Sequence, residues 1–109
     1  MRFSDLTKSL SLKHVAGPDA AEFSGVYAGD LLSRAMSHVS AGDLWITIMS
    51  NVNVIAVASL SGASAVILAE DVCLMPEALE AAREQDISVY SSPESVYTLC
   101  ARIALLKGE

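Results

Sequence analysis

The feature that most constrains this chain is an uncharged run: residues 44–69, 26 in succession, include no Asp, Glu, Lys or Arg. A segment of about 18 or more apolar residues is long enough to cross a bilayer, but two asparagines and several serines interrupt this one. In hydrocarbon those side chains would need partners that a single span does not supply, and no Lys- or Arg-rich flank sets an orientation. The run therefore predicts a buried protein core.

Length and charge narrow the class of protein. The 109 residues are enough for a single α/β domain over residues 1–109 with a proper core. Thirteen acidic residues against seven basic ones give a net charge of -6, and no basic cluster is present. Because nucleic acids and anionic membranes are recognised through Lys and Arg, we expect no nucleic-acid and no membrane partner.

The two cysteines and the N-terminus bear on the cellular compartment. Cys73 and Cys100 are far apart and lack CxxC spacing, so neither a disulfide scaffold nor a zinc knuckle is indicated. We predict that both thiols pack as small core side chains in a reducing cytoplasm. The first residues contain no apolar segment of the kind found in signal peptides.

Short apolar segments alternate with segments of helical spacing along the whole chain. This alternation is typical of βαβ units with right-handed crossovers, and it predicts a three-layer α/β domain with a mainly parallel sheet. The uncharged run then becomes strand, helix, strand. The predicted strands cover residues 12–16, 26–28, 44–49, 65–69 and 87–90, and the predicted helices cover residues 3–10, 31–39, 54–60, 76–85 and 96–106.

Polar residues stand where the predicted strands end. The carboxyl ends of parallel strands meet at one edge, where α/β sheets bind ligands, and helix N-termini at that edge favour an anion. The same residue types are ordinary helix caps, and Ser4, Asp30, either Asn51 or Asn53, and Ser92 are predicted as caps. Capping and ligand binding thus both stand as interpretations. The candidate ligand-binding residues are Asp30, Ser50, Asn51, Asn53, Glu70, Asp71 and Ser92.

Signatures of catalysis are missing from the sequence. It contains no GxxxxGK[ST] phosphate loop, no GxGxxG fingerprint and no GxSxG elbow. His38 falls at a predicted helix end, where a capping role is favoured over that of a base. The adjacent carboxylates of Glu70 and Asp71 are too few to indicate a metal site. We therefore expect a non-catalytic protein with no cofactor and no metal, in which Tyr27 and Trp45 serve core packing.

Four segments carry a resemblance to a known family: GVYAGDLL (25–32), GDLWIT (42–47), SNVNVIAVASL (50–60) and SSPESVY (91–97). They resemble the DRTGG-domain family, particularly its small stand-alone members often labelled serine kinases of the phosphocarrier protein HPr, and the resemblance covers about residues 6–103. In GDLW (42–45) and SGASAVI (61–67) lies a fainter similarity to the N-terminal domain of the Mur ligases.

The resemblance implies an α/β fold shared with the N-terminal domains of HPr kinase/phosphorylase and of the Mur ligases. Both kinds of enzyme keep their phosphate loop in a different domain, and we expect no phosphate loop here. Kinase activity is therefore not inferred from the family label. The literal Asp-Arg-Thr-Gly-Gly string is absent. No binding residue is therefore carried over from the family.

These observations lead to an expected function. We expect a non-catalytic regulatory or sensor domain that binds a small anionic ligand, a nucleotide among the candidates, at the carboxyl ends of the strands. The alternative is a homo-oligomeric scaffold or partner-docking module, since 18% charged residues and a mean hydropathy of +0.43 favour a dimer that buries an apolar patch. A phosphotransferase is a third and weaker hypothesis.

Overall fold

The computed structural model describes all 109 residues and contains five helices and five strands. No helix is both long enough and apolar enough to span a bilayer. In chain order the elements are α1 (Phe3–Ser9), β1 (Lys13–Ala16), β2 (Val26–Ala28), α2 (Leu32–His38), β3 (Leu44–Thr47), α3 (Val52–Ser61), β4 (Ala65–Leu68), α4 (Pro76–Glu84), β5 (Val89–Ser91) and α5 (Val96–Leu106).

The strands form one five-stranded sheet in the order β1-β5-β4-β3-β2. Strands β2 to β5 are parallel, and each lies beside the next one along the chain. Only β1 runs antiparallel, on the outer side of β5, with Lys13 opposite Ser91. The predicted mainly parallel sheet is confirmed.

Helices cover both faces of the sheet, which gives the predicted three layers. The crossover helices α2, α3 and α4 share one buried cluster with Trp45. On the opposite face, α1 and α5 share a second cluster with Leu44 and Ile46. Because neighbouring residues of a strand point to opposite faces, β3 is buried on both sides, as its apolar sequence predicted.

The uncharged run forms β3, α3 and β4, the central βαβ unit. Asn51 caps α3, because its side chain accepts a hydrogen bond from the Asn53 backbone N–H at 2.9 Å. Gly62 ends the helix in the left-handed conformation, with φ of 73°, a value that glycine adopts without the steric penalty of a β-carbon. Local sequence signals therefore set both ends of this helix.

Some element boundaries differ from the prediction. Strand β3 ends at Thr47 instead of residue 49, since the next backbone N–H, that of Ile48, binds the carboxylate of Asp30. Ser4 is not the cap of α1, which begins one residue earlier, at Phe3. Arg2 precedes the helix in an extended conformation and bridges to Glu22.

Candidate functional site

The four parallel strands end at the same side of the sheet, which we call the carboxyl edge. The connections from β2, β3, β4 and β5 to their following helices all lie there. Backbone hydrogen bonds join these connections to one another: Met75 N–H donates to the Ser50 carbonyl at 3.0 Å, and Glu70 N–H donates to the Glu94 carbonyl at 2.9 Å. The candidate residues thus lie on connections that are physically joined.

Asp30 joins the first two connections through its carboxylate. One oxygen, Oδ1, accepts hydrogen bonds from the Thr47 hydroxyl at 2.8 Å and from the Ile48 backbone N–H at 3.0 Å. The prediction that Asp30 caps α2 is wrong, since the residue before the helix is Leu31 and no side chain caps it. The carboxylate is committed to the start of the β3–α3 connection instead.

The β3–α3 connection carries three candidate residues. Of the two possible asparagine caps, the structure selects Asn51, so its side-chain oxygen is occupied. Asn53 is exposed, and Ser50 is partly buried. Neither of those two side chains makes a hydrogen bond within the protein, so both retain the capacity to bind a ligand at the carboxyl edge.

Ser92 is buried, with 2% of its surface exposed. Its hydroxyl accepts a hydrogen bond from the Glu94 backbone N–H at 3.0 Å. The prediction that Ser92 caps α5 is wrong: Ser95 is the cap, and its hydroxyl accepts from the Thr98 N–H at 3.1 Å. Ser92 therefore shapes the β5–α5 connection from inside and is closed to a ligand.

Glu70 and Asp71 form a sharp turn directly after β4. Both have positive φ, 59° and 58°, a conformation that residues other than glycine seldom adopt. The turn is held by hydrogen bonds from Val72 N–H to the Ala69 carbonyl at 3.2 Å and from Asp71 N–H to the Ser92 carbonyl at 3.0 Å. Both carboxylates are exposed, at positions that the backbone holds in place.

A cavity of about 310 Å³ lies where β1 and β5 meet the β4–α4 connection, and we call it the β1–β5 cavity. Of the seven candidate residues only Asp71 lines it. The sequence did not point to Lys13 as a site residue, yet it lines this cavity together with Ser91 and Cys73. Lys13 reaches the carboxyl edge because β1 is antiparallel and therefore begins where the other strands end.

The two cysteines differ in their surroundings. Cys73 is exposed, so the prediction that it packs in the core is wrong; the β4–α4 connection runs over the surface. Cys100 is partly buried on α5, where desolvation raises the pKa of its thiol. A thiol whose pKa is raised holds less of the reactive thiolate at a given pH.

The histidine and aromatic predictions are confirmed in part. His38 ends α2, and its Nδ1 lies 2.9 Å from the Arg34 carbonyl, which is the predicted position at the helix end. Trp45 is fully buried in the core, and its indole N–H donates to the Gly29 carbonyl at 3.0 Å. Tyr27 is only partly buried and stacks beside His38.

Metal-ligating side chains do not cluster in this fold. No group of three or more His, Cys, Asp or Glu side chains lies close enough together to hold a metal ion.

The fold is similar to that of a solved structure: the CBS and DRTGG domains of the regulatory region of Clostridium perfringens pyrophosphatase, complexed with an activator, diadenosine tetraphosphate. The TM-score is 0.74 at 16% sequence identity, and the likeness covers 92% of this chain and 44% of the other. This chain thus spans less than half the length of the structure it matches. No protein-family model and no curated protein matches the sequence.

At this level of identity the likeness is one of fold. It supports the DRTGG-like α/β fold expected from the sequence resemblance. The finer resemblances to HPr kinase/phosphorylase and to the Mur ligases stay predictions.

Proposed function

We propose that this chain is a non-catalytic regulatory domain of the cytoplasm that binds a small anionic ligand at the carboxyl edge of its sheet. The observation that carries the proposal is the β1–β5 cavity. It opens at the edge where ligands bind in parallel α/β sheets, and its volume of about 310 Å³ lies within the range of small-molecule sites. Lys13 supplies an ammonium group in its lining.

Groups elsewhere at the carboxyl edge add to this support. Ser50 and Asn53 keep free hydrogen-bonding side chains on a neighbouring connection. Glu70 and Asp71 present carboxylates that could accept hydrogen bonds from the hydroxyls of a ribose. The similar fold in the pyrophosphatase belongs to a regulatory region complexed with a nucleotide activator. Nucleotides are therefore the first class of ligand to test.

A thermal-shift screen tests the proposal. The chain is heated with nucleoside mono-, di- and triphosphates, diadenosine tetraphosphate, phosphorylated metabolites and carboxylate metabolites, amino acids included. A ligand present at about 100 times its Kd adds roughly 2.7 kcal/mol to the free energy of unfolding. We expect at least one compound to raise the melting temperature, and no shift with any of them would contradict the proposal.

Charge reversal supplies the matched control for that screen. Lys13→Glu should remove the shift, because it replaces the cavity's ammonium with a carboxylate. Lys8→Glu should retain it, since Lys8 is exposed on α1, which packs on the opposite face of the sheet from α4. Loss of the shift in both variants would point to a general effect of net charge and count against the cavity.

A second proposal, compatible with the first, is that two copies of the chain associate through the carboxyl edge. Its support is a set of large apolar side chains exposed on three successive connections: Leu31 (63% exposed), Ile48 (40%), Val52 (45%) and Met75 (47%). Exposed apolar side chains gathered at one end of a molecule are typical of an interaction surface. A monomeric mass in light scattering at tens of micromolar protein would contradict this proposal.

A further inference from the structure

The lining of the β1–β5 cavity combines two opposite charges with an aliphatic floor. Lys13 and Val15 lie on the face of β1 that packs toward α4, with Ser91 directly opposite Lys13 on β5. Asp71 comes from the turn after β4, and Leu79 comes from α4. A ligand in this cavity would contact an ammonium, a carboxylate and branched aliphatic side chains at the same time.

The two charged groups do not neutralise each other. The ion pairs of the structure are His14 with Asp19 and Lys107 with Glu109. Lys13 and Asp71 are in neither, although both line the same cavity. Each charge is therefore available to a molecule that occupies the space between them.

The backbone fixes the positions from which both charged side chains extend. The Lys13 backbone is fixed by its pairing with Ser91 in the sheet. The Asp71 backbone is fixed by the turn with positive φ and by its N–H bond to Ser92. The separation between these two backbone positions is thus set before any ligand arrives.

The balance of charge limits what the cavity accepts. The lining holds one lysine, one histidine and one aspartate (Lys13, His14 and Asp71), and Glu70 adds a second carboxylate beside Asp71 in the same turn. A chain of phosphates would place several negative charges near these carboxylates, and like charges in a partly enclosed site repel. A ligand with a single anionic group at Lys13 and a positive group at Asp71 would instead place a group of opposite charge at each of these two residues.

We infer that the β1–β5 cavity binds a small zwitterion of the amino-acid type. The ligand's carboxylate lies at Lys13, with the Ser91 hydroxyl available as a further donor. Its ammonium lies at Asp71, and its aliphatic side chain lies on Val15 and Leu79. This inference rests on the proposed function, because it keeps an anionic group of the ligand at the cavity. It deepens that function by naming the group as a carboxylate whose molecule also carries an ammonium.

Calorimetric titration of the full chain with the common L-amino acids tests the inference. We expect the branched aliphatic amino acids, with leucine as the reference probe, to bind. Two analogues of leucine then test the contribution of each charged group of the ligand: 4-methylpentanoate lacks the amino group, and 3-methylbutylamine lacks the carboxylate. Each should bind at least about tenfold more weakly than leucine, the loss expected for one hydrogen bond between charged groups.

Variants assign the charges to residues. Lys13→Gln and Asp71→Asn should each weaken leucine binding about tenfold or more. Asparagine tolerates positive φ, so Asp71→Asn keeps the turn. The matched controls are Glu84→Gln, an exposed residue at the end of α4 outside the cavity lining, and Lys8→Gln on α1, and both should bind leucine as the unchanged chain does.

The outcomes separate this inference from the proposed function. Binding of nucleoside phosphates without binding of any amino acid would overturn the inference and leave the proposed function standing. Binding of leucine that Glu84→Gln weakens as much as Asp71→Asn would also overturn the inference, since the general negative charge of the protein would then be responsible. Absence of binding by every amino acid and every anionic metabolite would overturn both.

Discussion

At the scale of single residues, Asp30 shows how one carboxylate organises the carboxyl edge. It accepts two hydrogen bonds, from Thr47 and Ile48, across a separation of 17 and 18 residues in the chain. Thr47 is fully buried, and its hydroxyl oxygen also accepts from the Met49 N–H at 3.2 Å. These bonds hold the β2–α2 connection against the beginning of the β3–α3 connection.

Removal of the Asp30 carboxylate should therefore destabilise the protein. Hydrogen bonds to charged groups contribute about 1.5–3 kcal/mol when sheltered, and because Asp30 is exposed we expect Asp30→Ala to cost about 1–2 kcal/mol. Urea unfolding measures the change. Glu80→Ala, an exposed acidic residue on α4 that makes no ion pair, should stay within about 0.5 kcal/mol, and an equal loss in both variants would contradict the role of Asp30.

The two thiols should react at different rates. Cys73 is exposed, whereas burial raises the pKa of Cys100 and lowers its thiolate fraction below that of an open thiol at the same pH. With iodoacetamide at pH 8, we expect label on Cys73 first and on Cys100 more slowly, with the difference removed when denaturant is added. Peptide mass spectrometry reads the two sites separately, and in the Cys73→Ser variant the early label should disappear.

At the scale of elements, the turn after β1 depends on one glycine. Gly17 has φ of 76°, and a β-carbon there would overlap the Ile87 carbonyl in the segment that leads into β5. The backbone of the turn thus approaches the entry to β5 more closely than any side chain permits. This contact helps to set β1 antiparallel beside β5, the placement that carries Lys13 to the carboxyl edge.

Gly17→Ala should be strongly destabilising for two reasons whose costs add. Alanine is strained in the left-handed conformation, and its β-carbon would overlap the Ile87 carbonyl. We expect a loss of about 2–4 kcal/mol in the free energy of unfolding. Gly108→Ala is the control, since Gly108 has a similar φ of 79° and an added methyl group there would meet no other atom, so strain alone should cost about 1 kcal/mol or less. Equal losses by thermal or urea unfolding would show that the overlap at Gly17 relaxes without cost.

At the scale of the whole molecule, the ten exposed large apolar side chains include four at the carboxyl edge: Leu31, Ile48, Val52 and Met75. The hydrogen bond from Met75 to Ser50 holds two of their connections together. An 11.5 kDa chain with this much apolar surface at one end is suited to pairing. The proposed dimer would place this patch in its interface.

A charge placed in that patch should weaken the dimer. Val52→Glu puts a carboxylate at the first residue of α3, where the helix dipole tolerates it, so the fold should survive while the dissociation constant rises at least about tenfold. Leu60→Glu, near the other end of the same helix and 76% exposed, should leave the dimer intact. Sedimentation velocity measures both, and a dimer that resists Val52→Glu but not Leu60→Glu would place the interface elsewhere.

Local signals in the sequence were sufficient for most of the fold. The runs of β-branched and aliphatic residues predicted all five strands, and Asn51, Gly62 and Pro76 mark helix ends that the structure confirms. These signals work from sequence because each acts within a few residues of backbone. A capping side chain, a left-handed glycine and a proline at the first turn all operate at short range.

The candidate site was less predictable, because its chemistry depends on contacts distant in sequence. Ser92 and Ser95 are both suitable caps on local grounds, and the path of the chain into the core buried the first and left the second at the helix start. Asp30 was predicted to cap α2, but its carboxylate instead accepts hydrogen bonds from Thr47 and Ile48. Polar side chains near helix ends often have more than one available partner, and tertiary geometry selects among them.

From its sequence alone, the uncharged run of residues 44–69 already specified a buried strand-helix-strand unit, because hydrophobic periodicity and short-range caps act without reference to the remainder of the chain. The direction of β1 needed the folded molecule, since a strand's sequence pattern is the same in either orientation. That direction places Lys13 in the lining of the same cavity as Asp71. The core could therefore be predicted from the sequence, whereas the gathering of these two residues in one cavity required distant segments to pack together.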